Sequence, residues 1–85
     1  MADPYAPSSQ TIRVREETRP GGKVVTVASG FRLGKKTALE ELARSLKTLV
    51  GAGGTARGDV IELQGRHADP VATRLTADGF RVKRG

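Results

Sequence analysis

Cysteine is absent from the 85 residues. This excludes a disulfide framework, a cysteine-ligated zinc site and a thiol nucleophile, and it suits a reducing compartment. Histidine occurs once, at His67, so no second imidazole can share a metal with it. Aromatic residues are limited to one tyrosine and two phenylalanines. No apolar run is long enough to span a bilayer, and the N-terminus carries Asp3 rather than an apolar leader, which predicts a cytoplasmic protein. Acidic residues are also missing between Glu17 and Glu40, and again after Asp78. No membrane contact, cofactor or metal is expected, and Ser8, Ser9 and Ser29 have no evident base beside them, so an enzyme is not expected.

What fills those gaps is positive charge. Lysine and arginine number 15 against 9 acids, giving a formal net charge of +6. Arg19, Lys23, Arg32, Lys35 and Lys36 fall inside the first acid-free window, and Arg81, Lys83 and Arg84 inside the second. A clustered excess of this kind fits a polyanionic partner. The length suits one domain, which buries roughly 60 to 65% of the unfolded surface.

Residues 1–10, with Pro4, Pro7, Ser8 and Ser9, lack periodicity and read as a flexible N-terminal tail before a single domain at 11–85. Thr11 to Arg15 alternates, with Ile12 and Val14 inward and Arg13 and Arg15 outward. Arg19-Pro-Gly-Gly-Lys23 is a turn, followed by a strand in which Val25, Val27 and Phe31 share the inward face. Thr37 and Glu40 form a capping box for a helix whose buried stripe is Leu39, Leu42, Ala43, Leu46, Leu49 and Val50, ended by Gly51. A short strand over 53–57 turns at Gly58-Asp59 into Val60 to Gln64, with Ile61 and Leu63 inward. Asp69 caps a second helix with Pro70 at its first position and Val71, Ala72 and Leu75 inward. After Gly79 a last strand carries Phe80 and Val82 inward, Arg81 and Lys83 outward.

The order ββαββαβ, with one apolar stripe per helix and one apolar face per strand, predicts an α+β two-layer sandwich. Both helices lie on one face of a mixed, mostly antiparallel sheet. The last six elements form a βαββαβ unit of ferredoxin-like type, in which the second strand already has two neighbours, whereas the turn at Pro20-Gly21-Gly22 demands that it also pair with the first. The strand order stays open at this point.

Two glycine-rich segments imitate phosphate loops. Gly51-Ala-Gly-Gly-Thr-Ala56 fits G-x-G-x-x-A, but a helix precedes it where a dinucleotide site needs a strand. Its glycines read instead as a helix stop and a close backbone approach. Gly30 to Thr37 has three rather than four residues between Gly30 and Gly34, with Lys36 where a hydroxyl is required, so nucleotide hydrolysis is rejected. Lys35 and Lys36 beside a helix N-terminus nevertheless suit a phosphate. Phe31 and Phe80 phase with the core, so no stacking platform for single strands is available. The outward Arg13, Arg15, Arg81 and Lys83 predict phosphate-backbone contact with little sequence reading.

Gly53-Gly-Thr55 followed by Val60-Ile-Glu-Leu-Gln-Gly-Arg66 resembles the SUI-type family, translation initiation factor 1 of eukaryotes and archaea and its bacterial relatives. Gly22 to Phe31 is similar to that family's Gly-Lys-x-x-Thr-x-x-x-Gly segment, and Gly79-Phe-Arg-Val-Lys83 to its closing strand. The resemblance covers roughly residues 11 to 85. It implies a non-enzymatic factor that binds the small ribosomal subunit near the P site through ribosomal RNA and modulates start-site selection. Initiator tRNA or other initiation factors are further candidate partners, and the protein is expected to be a monomer. The regions implied as RNA contacts hold Arg19 and Lys23 at the hairpin, Arg32, Lys35 and Lys36 at the approach to the first helix, and Arg44 and Lys47 along it. Arg57 and Arg66 are the contacts expected from the glycine-rich stretch. Arg66-His67 stands where an acid is common in the family, and the hairpin tip is short. The alternatives are a general RNA-binding regulator or RNA chaperone acting away from the ribosome, and a protein-interaction domain with merely solvated bases.

Overall fold

A computed structural model describes residues 3–85. Its elements are β1 (Thr11–Arg19), β2 (Lys23–Ser29), α1 (Lys36–Val50), β3 (Gly54–Arg57), β4 (Val60–Gln64), α2 (Ala68–Ala77) and β5 (Arg81–Arg84), preceded by a 3-10 turn at Pro7–Ser9. The strands form one sheet in the order β3-β4-β2-β1-β5. All pairs are antiparallel except β1 with β5. The α+β sandwich is therefore as expected, and the open question of strand order resolves simply. β1 is inserted between β2 and β5, so β2 keeps two neighbours and the hairpin survives.

Both helices cover the same face. Ile12, Val14, Ala28, Ile61 and Leu63 from the sheet share one apolar cluster with Leu39, Ala43 and Leu46 of α1 and with Ala68, Val71 and Leu75 of α2. Phe31 and Phe80 close one end of it, their rings edge to face with centroids 5.7 Å apart, a favoured aromatic geometry.

Four local expectations need correction. In β2 the inward set is Val24, Thr26 and Ala28, because Val14 pairs with Ala28 and Glu17 with Val25. Val25 and Val27 belong to the open face, where Val27 is buried between Arg15 and Glu62 in its cross-strand row. Leu49 is 45% exposed rather than part of the α1 stripe. The capping box does not form: α1 begins at Lys36, its N-cap is Lys35, and no side chain caps it, so Thr37 already lies within the first turn.

Asp69, likewise, is not the cap of α2. The N-cap is His67, and the start of the helix is met from β1 and β2. Glu16 Oε2 accepts from the Ala68 amide at 3.4 Å and Thr26 Oγ1 accepts from the His67 amide at 2.8 Å. Pro70 is the third helical residue, where an amide would still lack an intrahelical partner, so proline remains harmless. Asp69 instead pairs with Arg84.

The helix ends follow glycine chemistry. Gly51 adopts a left-handed conformation at φ 67 and ψ 34, and its amide donates to the Lys47 carbonyl, the αL stop anticipated. α2 closes in a Schellman arrangement, with Phe80 N donating to Leu75 O and Gly79 N to Thr76 O, both at 3.0 Å. Gly54 shows the close approach: a Cβ there would fall 2.3 Å from the Glu62 carbonyl oxygen of β4.

Candidate nucleic-acid interface

A concavity lies where the chain passes from β2 into α1. Phe31 is buried, and the Gly30 and Phe31 amides both donate to the Asp59 carbonyl in the β3–β4 turn, at 3.1 and 3.2 Å. On the other side Gln10, 5% exposed, holds the Arg32 backbone twice. Its Nε2 donates to Arg32 O at 2.6 Å, and its Oε1 accepts from Arg32 N at 2.8 Å. The Tyr5 ring lies against Gly34. The loop is thus fixed on both flanks, and the stretch expected as a tail contributes Tyr5 and Gln10 to fixing it.

Between this loop and the β3–β4 turn is a groove of about 600 Å³. Arg32, Lys35, Lys36 and Arg57 line it, with one acid, Glu40, and an apolar floor that includes Phe31, Leu33 and Leu39. It opens onto the first turn of α1, which carries no acidic residue and no side-chain cap. Amides at a helix start are partly unsatisfied and carry positive potential. Two lysines there make the fit to the dipole worse for the isolated helix and better for a bound anion.

From the groove a polar flank continues along α1. Lys36, Glu40, Arg44 and Lys47 stand at i, i+4, i+8 and i+11 of the helix, which puts them on one side. Arg44 is exposed and Lys47 half-buried.

The remaining expected contacts lie elsewhere. β2 separates Lys23 from Ser29, about 20 Å of strand, so the hairpin tip and the groove are at opposite ends of the molecule. Lys23 is exposed beside its cross-strand partner Arg19. Arg19 is already occupied: its Nη2 lies 3.3 Å from Glu17 and 3.0 Å from Glu62. Arg66 meets Glu16 at 3.4 Å on the helix side of the sheet. The structure therefore gathers Arg32, Lys35, Lys36 and Arg57, sets Arg44 and Lys47 alongside them, and leaves Arg19, Lys23 and Arg66 apart. His67 Nε2 is 2.7 Å from the Gln64 carbonyl oxygen. Sequence reasoning missed Gln10 and the Asp59 carbonyl, which hold the groove loop in place. An aperiodic stretch and a main-chain acceptor leave no pattern to detect.

Comparison with known proteins bears on the same domain. The family model described as Translation initiation factor SUI1 matches residues 8–81. This chain belongs to the SUI1 family. A Picrophilus torridus protein named as a protein translation factor SUI1 homolog is 36% identical over 77 residues, covering 89% of this chain and 77% of its own length. The Pyrococcus furiosus homolog of the same name is 42% identical over 71 residues, covering 84% and 71%. An uncharacterized Synechocystis protein is 35% identical over 92 residues, covering 98% and 81%. The SUI1 match contains every residue that lines the groove and ends at the first residue of β5. No helix among the described residues is long and apolar enough to cross a membrane.

Proposed function

We propose that this SUI1-family chain, whose homologues support a role in translation initiation, acts by binding the small ribosomal subunit near the P site. There it modulates start-site selection without catalysing a reaction. The observation that carries this reading is the groove at the head of α1. An uncapped, acid-free first turn opens between Arg32, Lys35, Lys36 and Arg57, and that combination accepts backbone phosphates of ribosomal RNA. Arg44 and Lys47 extend the contact along the helix. Phe31 and Phe80 are 6% and 7% exposed and Tyr5 is the one exposed aromatic ring, so no row of aromatics lies open for successive bases and the contact is chiefly with the backbone.

Charge reversal at the groove tests this. The Lys35→Glu, Lys36→Glu double variant is expected to lose at least about tenfold in affinity for purified small subunits, with wild-type binding weakening by roughly one log-log unit of salt per phosphate contact. Cosedimentation that survives the double variant undiminished at moderate salt would sink the proposal. Footprinting on small subunits with and without initiator tRNA reports whether the factor sits beside the P site.

The second reading, an RNA-binding regulator or chaperone acting away from the ribosome, is favoured by the four cations that line the groove, whose charge attracts the phosphates of any RNA. Competition separates the two readings, because excess duplex RNA displaces a general binder and leaves a subunit-specific factor in place.

A further inference from the structure

The face of the sheet turned away from the helices is electrically divided. Towards the β1–β2 turn its arginines are neutralised, Arg15 by Glu17 and Arg19 by Glu17 and Glu62, and Lys23 is the one cation there with no ion pair among the described residues. At the other end the register aligns a single cross-strand row, Arg57 with Val60, Val60 with Ser29, Ser29 with Arg13, and Arg13 with Lys83. Two residues earlier in β5, Arg81 pairs with Thr11.

Arg13, Arg81 and Lys83 are exposed and form no ion pair among the described residues. Arg84, on the helix side, is by contrast held by Asp69. Like charges directly opposite one another destabilise a sheet, so the Arg13 and Lys83 pair costs stability that a bound anion would recover. Asp59 follows Arg57 and Gly58 in the β3–β4 turn, beyond the row. Arg57 stands at the far end of the row, about 14 Å from Arg13 across three strand spacings, and also lines the groove.

We propose that the open sheet face around Arg13, Arg81 and Lys83 is a second phosphate-backbone surface, joined to the groove through Arg57. The protein would then grip two segments of RNA backbone, one at the head of α1 and one across β1 and β5. The inference rests on the preceding reading only in taking RNA as the partner. Arg15 takes no part, since Glu17 already neutralises it.

Three proteins decide the matter when titrated against purified small ribosomal subunits over a range of salt: wild type, the Arg13→Gln, Arg81→Gln, Lys83→Gln triple variant, and a Lys35→Gln, Lys36→Gln variant of the groove. Three lost phosphate contacts predict a log affinity versus log salt slope shallower by about 2 to 3 in the triple variant. Lys83→Gln alone should lower the slope by about 1. The triple variant is also expected to unfold at an equal or higher urea concentration, because the like-charge neighbours are gone. If the groove variant weakens while the triple variant keeps wild-type affinity and slope, the second surface is refuted and the groove reading stands. If neither variant differs from wild type, both fail. A triple variant that loses affinity with an unaltered slope also overturns the proposal, since it would show a contact that is not with phosphate.

Discussion

Thr26 shows how a single hydroxyl ties the two layers together. It is 1% exposed on the helix side of β2, donates through Oγ1 to the Gly65 carbonyl at 2.8 Å and accepts from the His67 amide at 2.8 Å. Both partners lie in the link from β4 to α2, so the middle of the sheet fixes where that helix begins. A buried hydroxyl is tolerated when bonded, and its removal leaves its partners unsatisfied. Thr26→Val keeps the shape and deletes both bonds, and should lower the unfolding free energy by about 1 to 3 kcal/mol in urea with the m-value unchanged. A valine variant as stable as wild type would show that water replaces the hydroxyl. Alternation alone placed Val25 and Val27 inward, which leaves Thr26 between them on the other face. The register that reverses this comes from Val14 meeting Ala28 across the hairpin.

At the scale of elements, each helix and strand was readable from apolar spacing, whereas the starts of both helices were not. Thr37 and Glu40 have the spacing of a capping box, yet α1 begins at Lys36 with Lys35 as N-cap. The path into the helix is set by nonlocal contacts, Phe31 against Phe80 and Gln10 on the Arg32 backbone, and these override a local capping preference. α2 repeats the pattern, with Glu16 and Thr26 in the place expected for Asp69. Thr37→Ala is therefore expected to leave stability unchanged or raise it by a few tenths of a kcal/mol, as alanine is the better helix former. A loss of about 1 kcal/mol in thermal or urea unfolding would mean that Thr37 caps after all. The insertion of β1 between β2 and β5 was equally hidden, since a strand's own pattern gives its faces and not its neighbours.

Over the whole molecule, the charge excess is sorted by the sheet into two ends of different character. The sequence placed cations at the hairpin, along α1 and on the outward strand positions, but only the register shows which of them meet acids. At the hairpin end Glu17 and Glu62 hold Arg19 across β1, β2 and β4. At the opposite end Arg32, Lys35, Lys36 and Arg57 gather around the groove. Family resemblance points to the hairpin as an RNA contact, and the two ends can be separated by experiment. Arg19→Gln removes a cation whose field its acids already cancel, so small-subunit affinity at about 0.15 M salt should alter less than about twofold. Stability should fall by no more than about 1 kcal/mol, the range of exposed ion pairs. The Lys35→Glu, Lys36→Glu variant measured beside it should lose at least about tenfold. Equal losses in the two variants would place the hairpin on the RNA as well. Arg19 would then have to leave Glu17 and Glu62 on binding, and Glu62→Gln alone, with Arg19 kept, would raise affinity by removing an acid that competes with phosphate for Arg19.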